Sequence, residues 1–65
     1  MEKPIRILIV DDEVDLRASV LSILEQEIKE GLSCDQAGNG REAIVLVEKN
    51  FYDLIIMDVK MPEMN

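Results

Sequence analysis

Residues 5–13 read Ile-Arg-Ile-Leu-Ile-Val-Asp-Asp-Glu, and the fold is decided in this stretch. The six positions Ile5 to Val10 are apolar except Arg6, and Ile5, Ile7, Ile9 and Val10 are β-branched. A near-continuous apolar run of this length predicts a strand covered on both faces, as in parallel sheets. It stops at a carboxylate pair, Asp11 and Asp12, and from Glu13 the period changes. Leu16, Val20, Leu24 and Ile28 recur every four residues with Val14 and Leu21 beside them, which predicts an amphipathic helix. Glu13 and Asp15 suit its electropositive first turn, and Gly31 suits the C′ position at the other end.

The rest of the chain repeats the alternation. Leu32 to Ala37 is short and polar, as an edge strand would be, and Gly38-Asn39-Gly40 is a turn. Arg41 to Asn50 carries Ala43, Ile44, Leu46 and Val47 and predicts a second helix. Asp53 to Met57 is another buried-type strand, stopped by Asp58, and Val59 to Asn65, with Pro62, reads as loop. The order β-α-β-α-β implies an α/β fold with a parallel sheet and right-handed crossovers.

Composition narrows the function. The 65 residues carry 7 basic and 14 acidic side chains, a formal charge of −7. The basic residues are scattered with no adjacent pair, so this segment has no phosphate-backbone clamp and is not expected to bind nucleic acid. No apolar run exceeds five residues, which leaves nothing to span or enter a membrane. Histidine is absent and Cys34 is the single cysteine, excluding imidazole chemistry, internal disulfides and His- or Cys-ligated metals. A reducing, cytoplasmic compartment is the expectation.

In parallel α/β sheets ligands bind beyond the carboxyl ends of the strands. Both apolar strands end there in acids: Asp11 and Asp12 after the first, Asp58 after the third. If those strands are neighbours, three carboxylates converge although 46 residues separate Asp12 from Asp58. Like charges so close raise one another's pKa or recruit a cation, and oxygen-only donors select a hard ion, Mg²⁺ before Mn²⁺ or Ca²⁺. The bland alternative is that the Asp11-Asp12 doublet only caps the helix, for which one Asp would suffice. Gly38-Asn39-Gly40-Arg41-Glu42-Ala43 fits the dinucleotide pattern G-x-G-x-x-A, but the strand before it is the most polar of the three, so a helix-capping turn is preferred. Cys34 has no basic neighbour in sequence and reads as a partly buried, inert thiol.

Three segments are more specific still. I-L-I-V-D-D-E at Ile7 to Glu13, A-G-N-G-R-E-A at Ala37 to Ala43 and D-L-I-I-M-D-V-K-M-P-E-M-N at Asp53 to Asn65 resemble the receiver domain of bacterial two-component response regulators. The resemblance implies a flavodoxin-like, doubly wound parallel sheet, here with strand order 2-1-3. It also implies that residues 1–65 are the N-terminal part of such a domain, with further strands, helices and phosphate-gripping residues expected beyond Asn65.

By position, the resemblance makes Asp58 the phosphoacceptor for a sensor histidine kinase. It makes Asp12 a direct Mg²⁺ ligand, Asp11 part of the same pocket, and the backbone carbonyl of Lys60 a further ligand. Met61 and Pro62 would shape the loop beside the site. The chain would then be a signalling phosphoacceptor rather than an enzyme. Haloacid-dehalogenase-type phosphotransfer is disfavoured, because that chemistry prefers D-x-D where this chain has Asp11-Asp12-Glu13. The other rival is a unit that only self-associates. With order 2-1-3 the uncharged edge of the Asp53 to Met57 strand is expected to recruit a second copy.

Overall fold

The computed structural model describes residues 4–28 and 31–57. Strand β1 spans Ile5–Val10, helix α1 Val14–Glu27, β2 Leu32–Ala37, α2 Gly40–Lys49 and β3 Leu54–Met57. The three strands form one sheet in the order β2-β1-β3, parallel on both sides of β1. This is the expected receiver-type α/β topology. The apolar run of β1 is central because it can fill both faces of the sheet. Ile7, Leu8, Ile9 and Val10 are each at most 1% exposed.

A right-handed crossover from β1 out to β2, and a second one back across β1 to β3, must place their helices on opposite faces. Alternation along the strands sorts the side chains accordingly. Leu8, Val10 and Ala37 pack with Ala43 of α2 in one buried cluster, bordered by Leu46 and Tyr52. On the other face Leu16 and Val20 of α1 lie near Ile9 and Ile56.

The register is fixed on both sides of β1 where the strand starts. Ile5 N–H donates to the Gly31 carbonyl at 2.5 Å, where the β2 pairing begins. Against β3, the Arg6 N–H donates to Asp53 Oδ2 at 2.9 Å and the Asp53 N–H donates to the Arg6 carbonyl at 2.7 Å. The ladder then runs Ile7 to Leu54 through Val10 to Met57.

Three expectations need correction, the first being that β3 is a buried-type strand: Leu54, Ile55 and Met57 are exposed among the described residues. Gly31 is not the C′ residue of α1: the helix ends at Glu27, with the Ile28 N–H closing on the Leu24 carbonyl at 2.8 Å. Gly31 instead takes a left-handed φ of 74° at the turn into β2, a conformation that costs a side-chain-bearing residue more than glycine. The α1 stripe also faces the sheet without being buried by it. Val20, Leu24 and Ile28 are half-buried, and Leu16 remains 43% exposed. The described sheet is three strands wide, too narrow to cover a four-turn helix and both its flanks.

Candidate functional site

The carboxyl ends of β1 and β2 and the first turns of both helices meet at one edge of the sheet. Asp11 ends β1 there and is 6% exposed. Its N–H donates to the Ala37 carbonyl of β2 at 3.0 Å, and its Oδ1 accepts the Glu13 N–H at 2.9 Å. The second bond is an Asx turn, which mimics a backbone turn and aims the chain into α1. It commits one carboxylate oxygen to local structure without capping α1, whose N-cap Glu13 has no side-chain capping bond, and Asp11 keeps the acceptor capacity of the other oxygen. Asp12, next in the turn, is exposed.

Arg17, which the sequence reading did not single out, crosses this edge from α1. Its Nη1 donates to the Asp11 carbonyl oxygen, and its Nε donates to Gln36 Oε1 at 3.0 Å. A signal for it did exist. Arg17 lies three, four and seven residues before Val20, Leu21 and Leu24, so it shares one side of α1 with half-buried apolar residues.

The Gly38 to Ala43 segment proves to be a cap. Asn39 Oδ1 accepts the Glu42 N–H at 2.8 Å, and Glu42 Oε1 accepts the Gly38 N–H at 2.7 Å. This is a capping-box exchange shifted by one residue, and it uses the groups a dinucleotide phosphate would need. The segment also follows β2, an edge strand, as expected of a turn and not of a Rossmann site.

Cys34 is half-buried, and its thiol lies 3.8 Å from the Asp35 carbonyl oxygen. Burial, then the charges of Asp35 and Glu25, push the thiol above its usual range, which disfavours the nucleophilic thiolate.

Asp58, Lys60, Met61 and Pro62 lie outside the described residues. Among the described residues no group of three His, Cys, Asp or Glu side chains is placed to hold a metal. The described part of the predicted pocket is therefore Asp11 and Asp12. Its donor chemistry is carboxylate oxygen, which fits Mg²⁺ and not a softer ion. The strand that leads to Asp58 is described: β3 lies directly beside β1, with Met57 in register with Val10.

Residues 7–65 match the response regulator receiver domain. The chain belongs to the response regulator receiver family. Its fold is the family's flavodoxin-like one, and its class is the receiver of two-component systems. The receiver is 44% identical over 59 residues to the transcriptional regulatory protein PdtaR of Mycobacterium tuberculosis, covering 91% of this chain and 28% of PdtaR. It is 46% identical over 59 residues to the autoinducer 1 sensor kinase/phosphatase LuxN of Vibrio harveyi, covering 91% of this chain and 7% of LuxN.

A third relative is the protein-glutamate methylesterase/protein-glutamine glutaminase 1 of Paramagnetospirillum magneticum, 39% identical over 62 residues. That match covers 94% of this chain and 16% of the relative. The receiver thus spans a small part of proteins with quite different outputs, two of the three named for enzymes, and is a signalling module common to them. No solved structure matches it. No helix among the described residues is long and apolar enough to cross a membrane.

Proposed function

We propose that this receiver accepts a phosphoryl group on Asp58 from a sensor histidine kinase, in the cytoplasm, with Mg²⁺ held by Asp11, Asp12, Asp58 and the Lys60 carbonyl. The observation that carries the reading is the parallel pairing of β1 with β3, Val10 opposite Met57. The residues next in sequence to that pair are Asp11 and Asp58, so the register supports a shared acidic crevice.

The chain's own part in the chemistry is short. An Asp58 carboxylate oxygen bonds to phosphorus as the P–N bond of the donor's phosphohistidine breaks, and the imidazole nitrogen keeps the electron pair. Asp11 and Asp12 contribute negative charge at the strand ends and would hold the cation. When bound, Mg²⁺ offsets charge on nucleophile and phosphoryl oxygens alike. The turn between β1 and α1 keeps these acids on a rigid base, because Asp11 is tied through N–H, carbonyl and carboxylate.

The experiment is phosphorylation of the gene product carrying this sequence by a small phosphodonor or a kinase. Hydroxylamine-labile phosphate, dependent on Mg²⁺ and lost in Asp58→Asn, is the expected result. Label that survives Asp58→Asn would place the acceptor elsewhere.

One observation favours a second reading, self-association. Among the described residues β3 pairs only with β1, and Leu54 and Ile55 are 50% and 42% exposed. An uncharged strand edge of this kind can take up an identical strand from another copy. Sedimentation from micromolar to millimolar concentration should then show a concentration-dependent dimer. A strictly monomeric folded chain across that range excludes it.

A further inference from the structure

We infer that Arg17 is a positioning residue for the acidic crevice, holding the Asp11 peptide so that the Asp11 and Asp12 carboxylates are set for a divalent cation. The inference rests on the cation-binding reading above and adds to it the residue that organises the ligands.

The geometry is specific. Asp11 is restrained by three elements at once: its N–H by the Ala37 carbonyl of β2, its carboxylate by the Glu13 N–H ahead of α1, and its carbonyl by Arg17 Nη1. Only the last is a side chain reaching back from a helix. That side chain is itself anchored, through Nε, on Gln36 Oε1 at 3.0 Å. Arg17 therefore ties α1, the end of β1 and the end of β2 together at the Asp11 peptide. The fork of the guanidinium suits this task, since two N–H vectors in a fixed relation engage two acceptors at once, which an ammonium on a flexible stem does not reproduce.

Charge bookkeeping separates positioning from neutralisation. A cation that served to neutralise the acidic doublet would present its fork to a carboxylate, the strong bidentate arrangement. Both named acceptors of Arg17 are neutral, a peptide carbonyl and a side-chain amide. Among the described residues the one ion pair is Arg6 with Asp35, in which Arg17 takes no part. A positive group held this close to the crevice repels an incoming Mg²⁺, so its presence opposes binding unless it orders the ligands. The two roles therefore predict opposite signs when Arg17 is changed.

Mg²⁺ titration followed by amide NMR shifts tests this on the wild-type chain and on Asp12→Ala, Arg17→Lys, Arg17→Met and Gln36→Leu, with thermal unfolding of each. Saturable binding by the wild type that is lost in Asp12→Ala supports the cation site. A diffuse, non-saturating wild-type response overturns that reading and this inference with it. Given saturable binding, Arg17→Lys keeps the charge but not the two-pronged grip, and the dissociation constant should rise on the order of tenfold, as for other groups that orient metal ligands.

Gln36→Leu removes only the anchor and should produce a smaller rise. Arg17→Met deletes the repelling charge, yet its constant should also rise. Folded variants whose constants are unchanged or lower overturn the inference while leaving the cation site standing. Should Arg17→Lys fail to fold, Gln36→Leu, a change at an exposed residue, decides the question by the same criterion.

Discussion

Leu8→Ala should remove most of the stability of this receiver. Leu8 is 0% exposed at the middle of the central strand and packs with Val10, Ala37 and Ala43. Deleting three carbons at about 0.8 kcal/mol per methylene costs roughly 2.4 kcal/mol in transfer alone. A sealed void would add a cavity contribution that scales with its volume. Here that contribution is small, because Leu8 also lines an apolar groove of about 450 Å³ with Ala43, Ile44, Val47, Ile55 and Met57.

The expected loss is therefore about 2.5 kcal/mol, near the bottom of the 2–5 kcal/mol range for such truncations. A core of this size rarely supplies more than about 3–5 kcal/mol in total, so the variant should be marginal at room temperature. Urea unfolding, read by circular dichroism, measures the loss directly, and Tm should fall by about 10–20 °C. Ile44→Ala is the control: Ile44 is 61% exposed beside the same groove and should change stability by no more than about 0.5 kcal/mol. A Leu8→Ala loss below about 1 kcal/mol, or an equal loss in the control, would refute the assignment of Leu8 to the centre of the core.

Three shorter predictions test other parts of the structure. Asn39→Ala deletes the α2 cap and should cost about 1 kcal/mol, whereas Asn39→Asp should be nearly neutral in urea unfolding. Tyr52, the only tyrosine, donates its hydroxyl to Asp35 Oδ2 at 2.5 Å. Burial first, and then the bond to Asp35, push its pKa above the ordinary 10.0, so the neutral phenol is favoured in the folded chain. The stability this contributes is complete below pH 10 and lost as pH rises through the folded pKa. Tyrosinate absorbance should therefore appear at higher pH in the folded chain than in urea, and coincident curves would contradict the bond. Cys34 should react with a thiol reagent more slowly in the native than in the unfolded chain, since burial and two carboxylates suppress its thiolate.

The strands were legible in sequence because each apolar run is cut off by groups that refuse burial. Asp11-Asp12 ends β1 and Asp58 follows β3, and the bounds read from sequence agree with the structure to within a residue. The α2 cap was legible too, since Asn39 and Glu42 stand at the spacing a capping exchange needs. Periodicity misled on α1. It shows which face of a helix is apolar but neither where the hydrogen bonding stops nor how much sheet exists to cover that face.

Of the predicted pocket, the sequence pointed to Asp11 and Asp12 as its first pair of acids, and the structure brings β1 and β3 side by side as that pocket requires. Arg17 stayed hidden for a different reason. Its partners are the Asp11 carbonyl, 6 positions away, and the Gln36 amide, 19 positions away, and neither carries a sequence pattern that links it to Arg17.

The Arg6–Asp53 pair closes the longest loop in the described chain, 47 residues, and this bears on the order in which the sheet assembles. Closing it costs only about 0.5 kcal/mol more than closing the shorter β1–β2 loop, because the entropy grows with the logarithm of length. The larger difference lies in the return on closure. Among the described residues β2 contributes six to its ladder with β1, while β3 contributes four, three of them exposed. The β1-α1-β2 unit is therefore the nucleus expected to form first, with β3 docking last and detaching first. In native-state hydrogen exchange the β3 amides should open at a lower free energy than those β1 shares with β2. The strand leading to Asp58 is then the most readily released of the three, and anything that binds across β1 and β3 would slow that release.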